Sequence, residues 1–234
     1  MKPLPMTRVL GVVVASLALV ACSPAPRVPN WQLNAHGATE RAVEAELEGL
    51  ARIAQVEWAR ARAELARTAQ PVAVARLELV RCAVRQAALD LVPCEGFERL
   101  VPPDAPPAAA AERAYARYLA GHPGPADADA LPPAHRPVAR WLAQPAPAAA
   151  DADVRLLQAV DDPLARLVGA SVLLRAQRLS PAGVDLAVDT ASAQGWRAPL
   201  LAWLGARLAL AEAAGDLAMA EWLRQRLALL AQSR

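Results

Sequence analysis

The sequence contains almost no lysine, isoleucine or phenylalanine. Lys2, Ile53 and Phe97 are the single examples of their types, and there are only two tyrosines. Bulky β-branched and aromatic residues favour strands, whereas alanine and leucine, which dominate here, favour helices. We therefore predict an all-α protein.

The chain also lacks a large surplus of either charge. The 25 Lys and Arg residues exceed the 23 Asp and Glu residues only through Lys2 and Arg8, which both precede Cys22. A balanced chain has no overall field that would steer a polyanion toward it. We therefore expect no nucleic-acid partner.

The motifs of common catalytic and cofactor sites are absent. There is no Gly-x-Ser-x-Gly, His-Glu-x-x-His, glycine-rich phosphate loop or Cys-x-x-Cys. Ser171 is predicted to be a small packing residue within a helix. His122 and His135 flank a proline-rich segment that contains Asp127 and Asp129, and we expect a solvated loop there rather than a metal site. No catalytic residue, metal or cofactor is predicted.

Two groups of neighbouring carboxylates are the remaining candidates for chemistry. Glu44, Glu46 and Glu48 alternate around the first helix, so they do not converge. Asp161 and Asp162 stand where a helix starts, and carboxylates are favourable at that position. A cell-wall hydrolase with two catalytic carboxylates is therefore the third-ranked function.

The N-terminus carries a short signal-like pattern. Lys2 and Arg8 precede an apolar run of 13 residues, Val9 to Ala21, that ends in Leu-Val-Ala immediately before Cys22. Such a run is too short to span a bilayer as a helix. The pattern resembles a bacterial lipoprotein signal, in which small residues precede the cysteine at the cleavage point.

This resemblance implies a location. Residues 1–21 would be a cleaved signal peptide, Cys22 would be acylated, and the proline-rich segment 22–30 would be an extended tether. Ser23 stands where lipoproteins retained in the inner membrane typically have aspartate. The expected location is therefore the periplasmic face of the outer membrane, with the lipid as anchor.

Residues 31–100 are predicted to form an N-terminal helical block. Gly49 breaks the first helix into a hairpin, and Pro71 suits the first turn of a third helix, because the N–H that proline lacks has no partner there. In the second helix, the apolar pattern places Ile53 and Val56 on the face toward the core.

Residues 101–150 are predicted to be a Pro/Ala-rich connecting region with short helices, in which 121–133 is a loop with little to bury. Residues 151–234 form a C-terminal helical block, where Asp151 or Asp153 can cap the first helix. The other start and stop signals of this block are Asp162-Pro163, Ser180-Pro181, Gly195 and Gly215-Asp216.

The last helical hairpin resembles a tetratricopeptide repeat. Leu204-Gly205 matches the Leu-Gly of the family's first helix, and Gly215-Asp216-Leu217 with Ala220 matches its turn and the small residue of its second helix. The resemblance implies antiparallel helix pairs that stack as a solenoid-like array. The chain as a whole also resembles uncharacterised lipoproteins of Gram-negative bacteria, which implies an envelope location.

The three cysteines suggest a disulfide. Once Cys22 carries lipid, Cys82 and Cys94 are the two thiols that remain, and the periplasm is oxidising. A third helix that runs to Leu91 would hold them too far apart, so the bond requires the helix to end earlier or the chain to turn back sharply. We predict a structural Cys82–Cys94 disulfide, with two buried free thiols as the alternative.

Six tryptophans are a large share of the aromatic residues. Trp58, Trp203 and Trp222 are predicted to fill the seams between helices. Trp31 and Trp196 lie at helix edges, where tryptophan can contact a partner.

Arg60 and Arg67 are further candidates for partner contact. They belong to a basic streak in the first block that consists of Arg60, Arg62, Arg67, Arg81 and Arg85. Glutamates interleave with it at helical ion-pair spacing, as in Arg60–Glu64 and Glu78–Arg81. The alternative interpretation of this streak is a solvated helix face.

These patterns together favour a non-enzymatic scaffold or adaptor in envelope assembly that binds a protein partner in a groove between helices. The alternative is a lipid or small-ligand carrier with a pocket inside the bundle. An open groove lined by arginine and tryptophan favours the adaptor, a dry apolar cavity favours the carrier, and converging carboxylates favour an enzyme.

We predict that the variant Cys22→Ser loses membrane attachment or stays unprocessed. Each buried methylene of an acyl chain contributes ~0.8 kcal/mol, so several chains anchor a protein firmly. Membrane fractionation and intact mass spectrometry of the variant measure this. An unchanged mass and an unchanged outer-membrane fraction would contradict the prediction.

Overall fold

A computed structural model describes residues 28–103, 109–145 and 151–232. Helices account for 76% of these residues and strands for none, so the predicted all-α fold is confirmed. The predicted signal peptide, Cys22 and nearly all of the tether 22–30 lie outside the described residues, and the first helix begins at Asn30.

Within the described ranges the chain forms twelve α-helices and one short 3-10 helix. The α-helices are α1 Asn30–Glu48, α2 Ala51–Ala66, α3 Pro71–Ala87, α4 Glu95–Glu98, α5 Ala110–Leu119, α6 Asp127–Ala130, α7 Arg136–Leu142, α8 Ala152–Gln158, α9 Pro163–Arg175, α10 Pro181–Gln194, α11 Arg197–Ala213 and α12 Leu217–Gln232, and the 3-10 helix is Pro133–His135.

The first hairpin, α1 and α2, turns at Gly49 as predicted. Gly49 has φ 81°, a left-handed conformation that costs glycine little, and its N–H bonds back to the end of α1. The turn is two residues long, so α1 and α2 run antiparallel and pack along their lengths.

The predicted buried face of α2 is wrong. Ile53 and Val56 are 53% and 57% exposed, while Ala54, Trp58 and Ala61 are buried. Polar contacts with α1 set this rotation, because Trp58 Nε1 donates to Glu46 at 2.7 Å. The alanines of α1 that face α2 also leave room for the large ring of Trp58 between the helices.

Helix α3 lies at the centre of the fold. It packs against α1, α2, α5 and, over a long sequence separation, α9. Leu79 and Val84 of α3 are buried, and Leu79 joins Leu167 and Leu173 of α9 in the main core. The helices therefore form an array in which the N-terminal and C-terminal blocks share one core.

The connecting region contributes to that core, contrary to the expectation of a loop with little to bury. Leu131 and Ala128 are buried, together with Tyr118 on α5. The guanidinium of Arg117 holds the carboxylate of Asp127 through bonds of 2.8 and 2.5 Å. This contact lowers the pKa of Asp127 and stabilises the one-turn helix α6.

The C-terminal start signals are confirmed, with one correction. Asp162 accepts a bond from the N–H of Ala165 at 2.6 Å, and Ser180 accepts one from Gly183 at 3.1 Å. Neither Asp151 nor Asp153 caps α8: Asp151 stands at the cap position, but its side chain makes no cap hydrogen bond, and Asp153 binds elsewhere. The buried carboxylate of Asp153 accepts from the N–H of Ser180 at 2.8 Å, so it joins α8 to the start of α10.

The tryptophans divide between the core and the surface. Trp203 on α11 is fully buried and its Nε1 donates to Ala87 O at 2.9 Å, which ties α11 to the end of α3. Trp222 was expected in a seam and is instead 51% exposed, with Arg226 stacked 4.7 Å from its ring centre. Helix α12 packs mainly on α11, so its other faces remain in solvent.

A helix that is both long and apolar enough to cross a membrane is not found in the described ranges.

We expect Trp203→Ala to lower the free energy of unfolding by ~3–5 kcal/mol, because it leaves a cavity in the core and removes a hydrogen bond. Chemical denaturation followed by circular dichroism measures this loss. The exposed Trp222→Ala is the matched control and should change stability by less than ~1 kcal/mol. Equal losses for the two variants would contradict the packing described here.

Candidate functional site: an arginine groove

The sequence-predicted contact residues lie at two ends of the first hairpin. Trp31 begins α1 and Arg67 follows α2, so the antiparallel arrangement puts both at one end. Trp196 precedes α11 near the opposite end, where Ala198 approaches Gly49. Since α1 has 19 residues, these ends are separated by ~28 Å.

Both predicted contact arginines have partners within the first block. Arg60 bonds to Glu57 at 2.9 Å rather than to the expected Glu64, and Arg67 bonds to Glu64 at 3.0 Å. Buried Glu57 also accepts from Arg41 of α1 at 2.9 Å, so this network crosses the hairpin. The role of Arg60 and Arg67 in partner binding stays a prediction.

The structure brings other arginines together beside α3. Two adjoining clefts of about 380 and 230 Å³ share Glu78 and Arg81 and form one open groove. We call it the arginine groove. It is lined by Gln55, Trp58, Ala59 and Arg62 of α2, by Leu77, Glu78, Arg81, Cys82 and Arg85 of α3, and by Val92, Pro93, Cys94, Glu95, Gly96 and Arg99 of the segment that follows α3.

The floor of the groove is one face of α3. Glu78, Arg81, Cys82 and Arg85 follow the spacing i, i+3, i+4 and i+7, which puts them on the same side of a helix. Trp58 adds a buried aromatic surface from α2. The opposite face of α3 is in the core, so this helix separates core from groove.

A disulfide holds the wall of the groove. Helix α3 ends at Ala87, earlier than expected, and the chain then turns back so that the Cα atoms of Cys82 and Cys94 lie 5.9 Å apart. This distance suits a disulfide, and the structure pairs the two sulfurs as predicted. Phe97 is buried in the core behind the wall.

A second contact fixes the returning chain from the core side. Arg175 on α9 donates from Nη1 to Leu91 O at 2.6 Å. The same side chain reaches Ala120 O at 3.3 Å, so it connects three segments. The groove wall is therefore attached to the body of the protein by a covalent bond, a buried ring and a charged hydrogen bond.

Three arginines of the groove have carboxylate partners in the chain. Arg62 pairs with Glu78, Arg85 Nε donates to Asp90 at 2.8 Å, and Arg99 pairs with Glu95 at 3.3 Å. The exposed pairs contribute little stability, since water screens them.

Arg81 differs from its neighbours. Its Nε is buried and finds no acceptor among the described residues. The expected Glu78–Arg81 pair does not form, because Glu78 pairs with Arg62 across the groove instead. The groove thus contains a guanidinium with an unused donor.

A second cavity of about 300 Å³ lies between α3, α5 and the segment 130–136. Tyr115 lines it, and the Tyr115 hydroxyl lies 3.2 Å from His135 Nε2. His135 is buried, contrary to the expected solvated loop, and burial lowers its pKa to about 4. His122 is exposed, so the two histidines do not converge.

Groups of three or more His, Cys, Asp or Glu side chains suited to a metal are not found in the part of the chain that the structure describes. Ser171 is fully buried and donates to Val168 O at 2.8 Å, which is the predicted packing role. Glu46 and Asp162, from the two carboxylate groups considered for catalysis, accept structural hydrogen bonds.

Comparison of the chain with protein-family models, curated proteins and solved structures found no match.

Sequence reasoning missed the groove, although Arg62, Arg81 and Arg85 stood in the basic streak. The spacing of Arg81 and Arg85, with Cys82 on the same helix face, was visible in the sequence. It indicates a groove only when the segment after α3 is known to lie opposite this face, and that depends on where α3 ends.

We predict that mature, unreduced protein has no reactive thiol after denaturation and that reduction lowers its free energy of unfolding by ~3 kcal/mol, because the bond closes a short loop. Thiol counting and urea denaturation with and without reductant measure this. A double variant, Cys82→Ala with Cys94→Ala, should not respond to reductant. Two reactive thiols in the unreduced protein would show the prediction to be wrong.

Proposed function

We propose that this protein is an outer-membrane lipoprotein that acts, without enzymatic activity, as a periplasmic scaffold or adaptor and binds a protein partner in the arginine groove. The observation that carries the proposal is the groove itself, an open channel lined by four arginines, with the largely buried Trp58 also in its lining. Arginine is enriched in the residues that dominate protein interfaces.

The dimensions of the groove suit a short extended segment. From Glu78 to Arg85 the floor advances seven residues along α3, which corresponds to ~10 Å. An extended chain advances ~3.3 Å per residue, so about three residues of a partner would lie on this floor. One side of the groove is formed by Gln55, Ala59 and Arg62 of α2.

The rigidity of the groove also supports an adaptor. Its floor is a core helix and its wall is tied by the Cys82–Cys94 pair and by the contact of Arg175 with Leu91. A preformed site loses little conformational entropy on binding. The lipid anchor and tether, which rest on the sequence pattern at Cys22, would present this rigid site near the membrane.

The cavity beside Tyr115 favours the alternative, a small-ligand carrier. Its volume of about 300 Å³ is near the lower end of the range for ligand pockets. Leu79, Val80 and Leu131 supply apolar surface, and the Arg76–Glu112 pair lies at its edge. We rank this function second because the arginine groove is larger. The cell-wall enzyme stays third.

We expect a photocrosslinking amino acid at Ala59, in the groove, to capture one defined envelope protein in intact cells. The control places the same amino acid at Ala218, an exposed alanine of α12 outside the groove. Gel separation and mass spectrometry identify the captured chain. Loss of the Ala59 product in an Arg81→Gln background would support binding in the groove, whereas identical products at both positions, or none at Ala59, would contradict it.

A further inference from the structure

We propose that the arginine groove recognises an acidic linear segment of its partner, and that a carboxylate of this segment binds to Arg81. The inference rests on the proposed adaptor function and adds the chemistry of the partner. It is argued from the state of Arg81, from the contacts of Glu78 and from the charge of the groove.

The unused donor of Arg81 is the first argument. Its Nε is enclosed and lacks an acceptor, while Arg62, Arg85 and Arg99 already bond to carboxylates. An external ligand cannot reach this enclosed Nε. The two terminal nitrogens of the Arg81 guanidinium are not enclosed, and no carboxylate among the described residues pairs with them. This planar pair of donors matches the two oxygens of a carboxylate from a partner.

The position of Glu78 is the second argument. Glu78 stands three residues before Arg81, the spacing at which helical ion pairs form. Its carboxylate is held by Arg62 and packs against Gly96, where an added Cβ would lie 2.5 Å from Glu78 Oε2. The carboxylate nearest in sequence is therefore held elsewhere, and Arg81 is left for an external acceptor.

The charge of the lining is the third argument. Four arginines line the groove, and Glu78, Glu95 and Asp90 pair with three of them, so one positive charge, that of Arg81, is left without a carboxylate although the chain as a whole is nearly neutral. A basic cleft with low-dielectric walls attracts acidic ligands and disfavours basic ones. Val92, which is exposed at the wall, offers an apolar contact beside the charges.

The shape of the site favours a peptide over a membrane surface. Arg81 is partly buried in a concave channel between two helices and a wall, whereas the more exposed Arg62 and Arg99 lie at its edges. A single extended chain can enter such a channel. The flat headgroup layer of a bilayer would meet the outer rims instead. Anionic lipid is therefore the competing ligand that the experiment must separate.

The test uses the full mature protein and a fluorescein-labelled hexaglutamate peptide, with hexaglutamine as the neutral control and fluorescence anisotropy as the measurement. We expect hexaglutamate to bind, more weakly as salt increases, and hexaglutamine not to bind. Arg81→Gln should weaken hexaglutamate binding by about tenfold, and Arg81→Lys by less, since it keeps the charge but loses the fork. The charge-matched control Arg155→Gln, an exposed position on α8, should bind like the wild type.

Circular dichroism confirms that each variant is folded. Equal affinity of Arg81→Gln and wild type for hexaglutamate would overturn the inference. So would Arg81-dependent binding to vesicles of equal parts phosphatidylglycerol and phosphatidylethanolamine with no binding of hexaglutamate, since the ligand would then be lipid.

The adaptor function and the recognition of an acidic segment can be tested separately. If Ala59 captures an envelope protein but hexaglutamate does not bind, the acidic-segment inference is overturned and the adaptor function is retained. If hexaglutamate binds through Arg81 but no protein is captured in cells, the adaptor function is overturned.

Discussion

The attachment of the C-terminal end of α3 is the constraint on which the rest of the molecule depends. Trp203 on α11 donates to the carbonyl of Ala87, the last residue of α3, at 2.9 Å. Arg175 on α9 bonds to Leu91 O just beyond it. Both helices come from the C-terminal block, so these contacts connect distant parts of the chain and let α3 serve as the common centre of one core.

The early end of α3 also creates the arginine groove. Because the helix stops at Ala87, the chain returns along it, Cys94 reaches Cys82, and a wall forms opposite Arg81. One face of α3 then packs in the core. The opposite face carries charged side chains that the returning chain partly covers. Arginine suits this position, since its long apolar stem packs along the walls while its guanidinium remains available to an acceptor.

The sequence predicts what short-range chemistry determines. The turn at Gly49 and the caps at Asp162 and Ser180 were predictable, because a cap or a left-handed glycine acts within a few residues. The exposure of Ile53 and Trp222 was not predictable, since it depends on which helix packs opposite. The groove could not be predicted for the same reason. Arg81 is left without a carboxylate because Glu78 pairs with Arg62 of α2.

Hydrogen–deuterium exchange on the intact protein, with and without reductant, tests most directly whether α3 is held from the core side while the disulfide holds the groove wall. The account predicts that reduction accelerates exchange in the segment 88–99, whereas the amides of α3 stay protected by α9 and Trp203. If α3 lost protection together with the wall, or if the wall did not respond to reduction, the central claim would be contradicted.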